Sequence, residues 1–336
     1  IANLAVVTGN IGKPGAGVLP MYQGANDQGA WDMGIWPNSL PGHVMMGDTT
    51  ARQTIEEHWG GKIPSEPGRG NRGIFDAAVA GSIKGMLLLG DHVHYEDGSL
   101  GEVSKGLEKL DFLVVTDAFN SSLADRANVV FPAAQWAEKT GTFTSIERRV
   151  QILRHVIANK QVDSRMDLDL LIELGKRLGG HGFDFDGPQS VFAEISRVVP
   201  EYAGLSYDRL LNEATITPRP SSDNPLPTQV LYSDRVLTGL QWPVAGPTEP
   251  DTPLLYAGGH FRYGKATLGA LNWFQRPTMN ESGYPLVLAH GRVLAQPGTP
   301  MEIVKGDGLN TIKREEKFLL NPTDAEQLGL EHGARA

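Results

Sequence analysis

The 336 residues contain no cysteine. That excludes disulfides, thiolate zinc sites and any cysteine-held iron–sulfur cluster within these residues. No apolar run approaches the roughly 20 residues that a membrane-spanning helix requires, so no direct membrane span is expected. Basic residues are the minority, 30 Lys and Arg against 39 Asp and Glu, for a formal charge of -9. Nucleic-acid affinity rests on clustered Lys and Arg. No such cluster occurs, and no nucleic-acid partner is expected. The opening IANLAVVTGNIGKPG has neither the basic n-region nor the cleavage site of a signal peptide. It lacks an initiating Met, Ile1 to Val7 reads as the last turns of a helix ending at Gly9, and the far end stops at LGLEHGARA. Both ends read as internal to a longer chain. G-x-S-x-G and H-E-x-x-H are absent too, so motifs nominate no catalytic residue and no metal ligand.

What remains is the composition of a globular protein, 40% hydrophobic and 21% charged. The length admits one large or two to three smaller domains. The 40 Gly and 22 Pro are spread along the chain, which implies many ordered loops. Residues 1–80 are loop-rich, with helices expected around Thr49–Trp59 and Asn71–Ala80. Residues 81–212 carry a regular pattern. Met86–Leu89 is a short apolar run consistent with a buried strand, Leu100–Leu110 a helix, Asp111–Val115 a second strand, Ser121–Arg126 a short helix and Asn128–Phe131 a third strand. That alternation predicts an α/β fold with a parallel, Rossmann-like sheet. Residues 167–178 follow as an amphipathic helix with apolar Leu168, Leu170, Leu171, Leu174 and Leu178. Residues 213–280 read as connecting segments, with 213–252 rich in Pro, Ser, Thr and Asp. Residues 281–336 read as the truncated start of a C-terminal β-rich, barrel-like domain, with strands at Pro285–Ala289 and Phe318–Leu320 and a short helix from Asn321–Pro322 through Leu328.

Ligands of open parallel sheets bind beyond the carboxyl ends of the strands. Those ends carry Gly90, Asp91 and His92, then Thr116, Asp117 and Asn120. Asp117 can accept hydrogen bonds from a ribose hydroxyl pair or the N1/N2 edge of guanine, and equally can cap a helix starting near Ser121. The loop Glu138–Thr144 offers small and hydroxyl residues for close approach to a phosphate-bearing ligand, without P-loop spacing. His92 and His94 lack further ligands at metal spacing and read as a solvated loop. Arg148 and Arg149, with Arg154 and His155, read as a charged strand face.

Three stretches carry a resemblance. They are NLAVVTGNIGKPGAGVLP with QGAWDMGIWPNSLPGH (3–20 and 28–43), LEKLDFLVVTDAFNSSLADRANVVFPAAQWAEKTGTFTSIERRVQ (107–151), and YPLVLAHGRVL (284–294) with LNPTDAEQLGL (320–330). With GLQWP and FRYGKA between them, the chain resembles the molybdopterin oxidoreductase family, in particular formate dehydrogenase large subunits and the G subunit of NADH-quinone oxidoreductase.

The resemblance implies the molybdopterin type of Rossmann-like domain and a bis-molybdopterin guanine dinucleotide carrying molybdenum or tungsten, with the redox chemistry residing in the cofactor. It implies cofactor-binding roles for Gly90 and Asp91 beside one pterin dinucleotide, for Asp117, for Gly141 and Thr142 along the nucleotide, and for Asp167 facing a guanine base. It places the metal-ligating residue and a 4Fe-4S cluster in an earlier part of the protein, other redox subunits as partners, and the assembly in the cytoplasm at the periphery of a membrane complex. Two departures stand out. Tyr22 occupies the place of the arginine that holds formate, and AQPGTPMEIVKGDGLN replaces the family's His- and Thr-bearing pterin loop. These departures favour a substrate other than formate. They also fit the G-subunit branch, in which this domain persists as a cofactor-free scaffold.

Overall fold

The computed structural model describes residues 1–21, 24–90, 100–121, 123–157, 163–212, 239–261, 264–271, 286 and 318–334. Its backbone divides into two units, Ile1–Met279 and Asn280–Ala336.

The first unit opens with α1 (Ala2–Val7), closed by Gly9 at φ +66° as its sequence predicts. Helix α2 (Asp27–Asp32) leads into a two-stranded hairpin, β1 (Ser39–Leu40) and β2 (Val44–Met45). Helix α3 (Thr49–Trp59) begins where Asp48 accepts the Ala51 N–H at 3.0 Å and ends at left-handed Gly60. These are the polar cap and the glycine stop that satisfy helix ends. Helix α4 (Gly70–Val79) follows.

Strand β3 (Gly85–Leu89), helix α5 (Leu100–Glu108), strand β4 (Phe112–Asp117) and strand β5 (Val129–Pro132) build the expected parallel sheet, in the order β3–β4–β5. Leu113 and Val115 of β4 pack with Phe75 of α4, Val103 and Leu107 of α5, and Leu123. Val103 and Leu107 are one helical turn apart and so share a face. Parallel sheets are usually covered on both faces, yet Leu89, Phe112, Val130 and Phe131 stay exposed. The helix expected at Ser121–Arg126 is only a 3-10 turn, Ala124–Arg126. Its span is too short to supply a second α-helical turn.

The second sheet is antiparallel. Strands β6 (Gly141–Thr144) and β7 (Arg149–Leu153) pair through a turn at Ser145–Arg148. Helix α6 is Asp167–Arg177, α7 is Pro188–Val198, and α8 is Tyr207–Asn212. Strand β8 (Leu240–Gln241) then joins β7. Val150, Phe192, Val199, Tyr202, Leu205, Leu210, Leu240, Trp242 and Val244 form the core beneath.

Several expectations change here. Half of the Glu138–Thr144 loop is strand β6, because Gly141 to Thr144 pair with Leu153 to Val150. Within the 213–252 stretch, polar composition hid β8 and the core residues Trp242 and Val244. In α6 only Ile172 is buried, while Leu171 and Leu178 face out. The charged face at Arg148–Arg149 is inward, with Arg149 only 5% exposed.

A polar knot ties the N-terminal segment to this core. Asp32, 1% exposed, accepts at Oδ1 from Gln28 (2.7 Å) and meets His43 Nε2 (2.9 Å), and at Oδ2 it accepts from the Tyr202 hydroxyl (2.6 Å) and the Trp242 indole (2.7 Å). A buried carboxylate is tolerable only when its lone pairs are filled in this way.

In the second unit, α9 (Pro322–Gln327) starts as expected, Asn321 accepting from Thr323 N at 2.9 Å. Phe318–Leu320 forms no strand and is exposed. Apart from Leu286, the Pro285–Ala289 strand lies outside the described residues.

Candidate functional site

The carboxyl ends of the parallel strands converge on one corner. Gly90 ends β3 at φ +84°, a backbone that favours glycine, and its N–H donates to the Thr116 carbonyl at 2.8 Å. Asp91, His92 and His94 lie outside the described residues. On the neighbouring strand, the Thr116 hydroxyl donates to Asp167 Oδ1 at 2.8 Å, joining the end of β4 to the first residue of α6. The Lys139 ammonium donates to the other oxygen of Asp167 at 2.9 Å. A carboxylate in the first turn of a helix is favoured by the helix dipole, and here it also draws in the 139–142 segment. Lys139, Gly141 and Thr142 line, with Asp167 and Phe192, a cavity of about 230 Å³.

Asp117 does not make the helix cap that was one of the two roles foreseen for it. Its Oδ1 accepts the Phe119 N–H at 2.9 Å, the two-residue side-chain turn typical of aspartate. The cap near Ser121 is made by Ser121 itself, whose Oγ accepts from Ala124 N at 3.2 Å. Oδ2 of Asp117 is buried and has no hydrogen-bond partner among the described residues. An unfilled buried carboxylate oxygen costs about 1–3 kcal/mol or more, so a donor supplied from outside would find its energetic reward there. Lys139 and Asp167 neutralise each other, and among the described residues Asp117 has no ion-pair partner. The chemistry of the corner is therefore acceptor-rich and suited to a ligand edge that presents N–H or O–H groups.

Thus Gly90, Asp117, Gly141, Thr142 and Asp167 gather around the ends of β3 and β4, through the Thr116–Asp167 bond. Thr116 and Lys139 carry that arrangement, and the sequence marked them only as a strand end and as part of the 138–144 loop, not as partners of Asp167. Their partner is 51 and 28 residues away respectively, beyond any local spacing signal. Sequence reading also passed over a G-x-G-x-x-G string at Gly68–Gly73. It follows coil rather than a strand, and Gly68 N donates to Pro37 O at 2.6 Å, so it is a packing turn and not a dinucleotide fingerprint. Among the described residues, no group of three or more His, Asp or Glu could hold a metal ion, and no helix is long and apolar enough to cross a membrane.

A family model described as molybdopterin oxidoreductase matches residues 1–177, more than half of the 336. The chain belongs to the molybdopterin oxidoreductase family. Among curated relatives, the probable oxidoreductase YjgC of Bacillus subtilis is 34% identical over 99% of this chain and 31% of its own length. The F420-dependent formate dehydrogenase 2 subunit alpha of Methanococcus maripaludis is 32% identical over 99% of this chain and 45% of its own. The chain thus spans between 31% and 45% of the length of these two relatives. Acetylene hydratase from Pelobacter acetylenicus superposes with a TM-score of 0.53 at 16% identity, over 85% of this chain and 38% of that one. That likeness shows the shared fold alone. Family membership implies a molybdopterin cofactor, and the orphaned Asp117 oxygen beside the β4 terminus fits such a group.

Proposed function

We propose that this chain forms part of the pterin guanine dinucleotide cleft of a molybdenum or tungsten oxidoreductase large subunit of the formate dehydrogenase alpha type. The carrying observation is that Oδ2 of Asp117 is buried and has no hydrogen-bond partner among the described residues. Guanine presents two adjacent donors, N1–H and N2–H, and a carboxylate accepts from both. Asp117 would hold such an edge. Gly141 and Thr142 would lie along the nucleotide, where a side-chain carbon added at Gly141 meets no atom within 4 Å. Gly90 and the adjoining Asp91 would approach one pterin dinucleotide, and Asp167, braced by Thr116 and Lys139, would face a guanine base. When bound, the cofactor supplies the redox chemistry. The protein supplies orientation and excludes water. A 4Fe-4S cluster and the metal ligand would come from another part of the protein, and other redox subunits would be partners. Tyr22, which cannot offer the paired N–H groups of an arginine, argues for a substrate other than formate.

The experiment measures bound metal and acid-released guanosine monophosphate in the full-length protein, with and without Asp117→Ala. Retained wild-type nucleotide that drops in the variant, by a factor of about ten or more for charged hydrogen bonds of 1.5–3 kcal/mol, is the expected result. Unchanged nucleotide in the variant defeats the assignment of Asp117. One observation favours a second reading, the cofactor-free G-subunit scaffold: both oxygens of Asp167 are already occupied from within the chain. Absent metal and absent nucleotide in the wild type, with intact electron transfer from NADH, would establish that scaffold.

A further inference from the structure

A second cleft, of about 1100 Å³, shares no lining residue with the nucleotide corner. Arg148 and Gln241 are on its wall. Arg148 sits at φ +69° on the turn between β6 and β7. Its guanidinium lies 5.4 Å from the centroid of the Trp242 ring. It donates to the Trp242 carbonyl, to Thr252 O at 2.9 Å and to Pro253 O at 3.1 Å. All three acceptors are neutral.

The nearby carboxylates are committed elsewhere. Glu147 is held by Arg149 at 2.9 Å, Asp251 accepts from Gln241 N at 3.1 Å, and Asp32 accepts its own four contacts. Among the described residues Arg148 therefore has no ion-pair partner, and burial lowers its pKa to about 10 despite those acidic neighbours. A partly buried cation held directly only by neutral carbonyls is a costly arrangement, and two of its five N–H groups remain for another acceptor.

Gln241 supplies the complementary half. It is 1% exposed. Its Nε2 donates to the Glu147 carbonyl at 2.9 Å, which sets the amide orientation because a carbonyl can only accept. Its Oε1 is buried with no partner among the described residues. The two side chains belong to segments in direct contact, since Trp242 N donates to Arg148 O at 3.2 Å. One group lacks a negative acceptor and the other lacks a donor.

We propose that Arg148 and Gln241 form a binding site, independent of the nucleotide corner, for a small oxyanion that also carries a hydroxyl, as hydrogencarbonate and hydrogen phosphate do. The anion's oxygen takes the free guanidinium N–H groups, and its O–H fills Gln241 Oε1. Asp32 acts as a positioning residue behind this site, because its bond to the Trp242 indole holds the ring against which Arg148 lies.

Isothermal titration of the intact protein with hydrogencarbonate, inorganic phosphate, formate and chloride tests this. The two hydroxyl-bearing anions should bind, formate about tenfold more weakly for want of one donor, and chloride not at all. Whichever of hydrogencarbonate and phosphate binds more tightly names the source. Arg148→Gln should abolish binding of every oxyanion. Gln241→Leu should bring hydrogencarbonate down to the affinity of formate and leave formate unchanged. Should a variant not fold, the wild type serves by itself. Saturating hydrogencarbonate should slow modification of Arg148 by an arginine-selective dicarbonyl about tenfold, as peptide mass spectrometry reads it, with Arg154 unaffected. Absence of both heat and protection overturns the proposal, as does binding that survives Arg148→Gln. Equal affinity for formate and hydrogencarbonate in the wild type refutes the role of Gln241. Because these readouts need no pterin, their failure is distinct from failure of the nucleotide assignment.

Discussion

Tyr202 donates to Asp32 at 2.6 Å and lies 3.3 Å from the Thr144 hydroxyl. Burial, and after it the charge of Asp32, hold its phenol pKa far above the ordinary value. The folded state therefore keeps this proton at pH values where an unfolded tyrosine, with a pKa of about 10, gives it up. The stabilisation is fully present below about pH 10 and is lost as pH rises past it, by up to about 1.4 kcal/mol per pH unit. Tyr202→Phe should cost about 1–3 kcal/mol at neutral pH, since Asp32 loses a donor. Its stability should then fall less steeply than wild type above about pH 10. Urea midpoints taken on either side of that pH decide the matter, and parallel slopes for the two proteins would show that Tyr202 does not titrate as described.

Among the elements, β8 depends most on one backbone position. Gly239 holds φ +70° just before the strand, and a side-chain carbon there would run into the Val150 carbonyl. Neither relief is available, because the left-handed conformation disfavours a side chain and the obstructing atom is backbone in β7. Gly239→Ala should detach β8 and strip Leu240, fully buried, from the core. The expected loss is about 2–5 kcal/mol, comparable with removing a buried leucine, measured by urea denaturation. Leu240→Ala should cost a similar amount. A Gly239→Ala protein as stable as wild type would mean that β8 does not hold this part of the core. The helices were easier to foresee. Thr49–Trp59, Leu100–Glu108 and Asp167–Arg177 all follow apolar spacings of three and four, and the first and third have polar or acidic starts. Strand β8 was not, because two residues in a Pro- and Gly-rich stretch have no period to read.

For the molecule as a whole, the absence of cysteine is decisive at the level of electron transfer. These 336 residues offer no thiolate to a metal and none to an iron–sulfur cluster. Purified by itself, the chain should therefore give no formate-dependent dye reduction, and detectable turnover would overturn that expectation. In the full-length protein, Tyr22 predicts slow formate oxidation even with metal bound. High metal content with fast formate turnover would show that carboxylate recognition does not depend on that position.

The sequence by itself determined the class of the fold, the order of the parallel strands along the chain and the family. All three reside in short-range patterns: strand runs of four to six residues, helical periodicity and contiguous motifs. It also placed Asp117 and Asp167 as acidic ends of a strand and a helix. Only the tertiary structure decided which groups meet. Asp167 finds Thr116 across 51 residues, Asp32 finds Trp242 across 210, and Glu147 pairs with Arg149, leaving Arg148 without an ion pair among the described residues. A side chain's local spacing sets the face it occupies, whereas its hydrogen-bond partner is whatever a distant element brings to that face when the core closes.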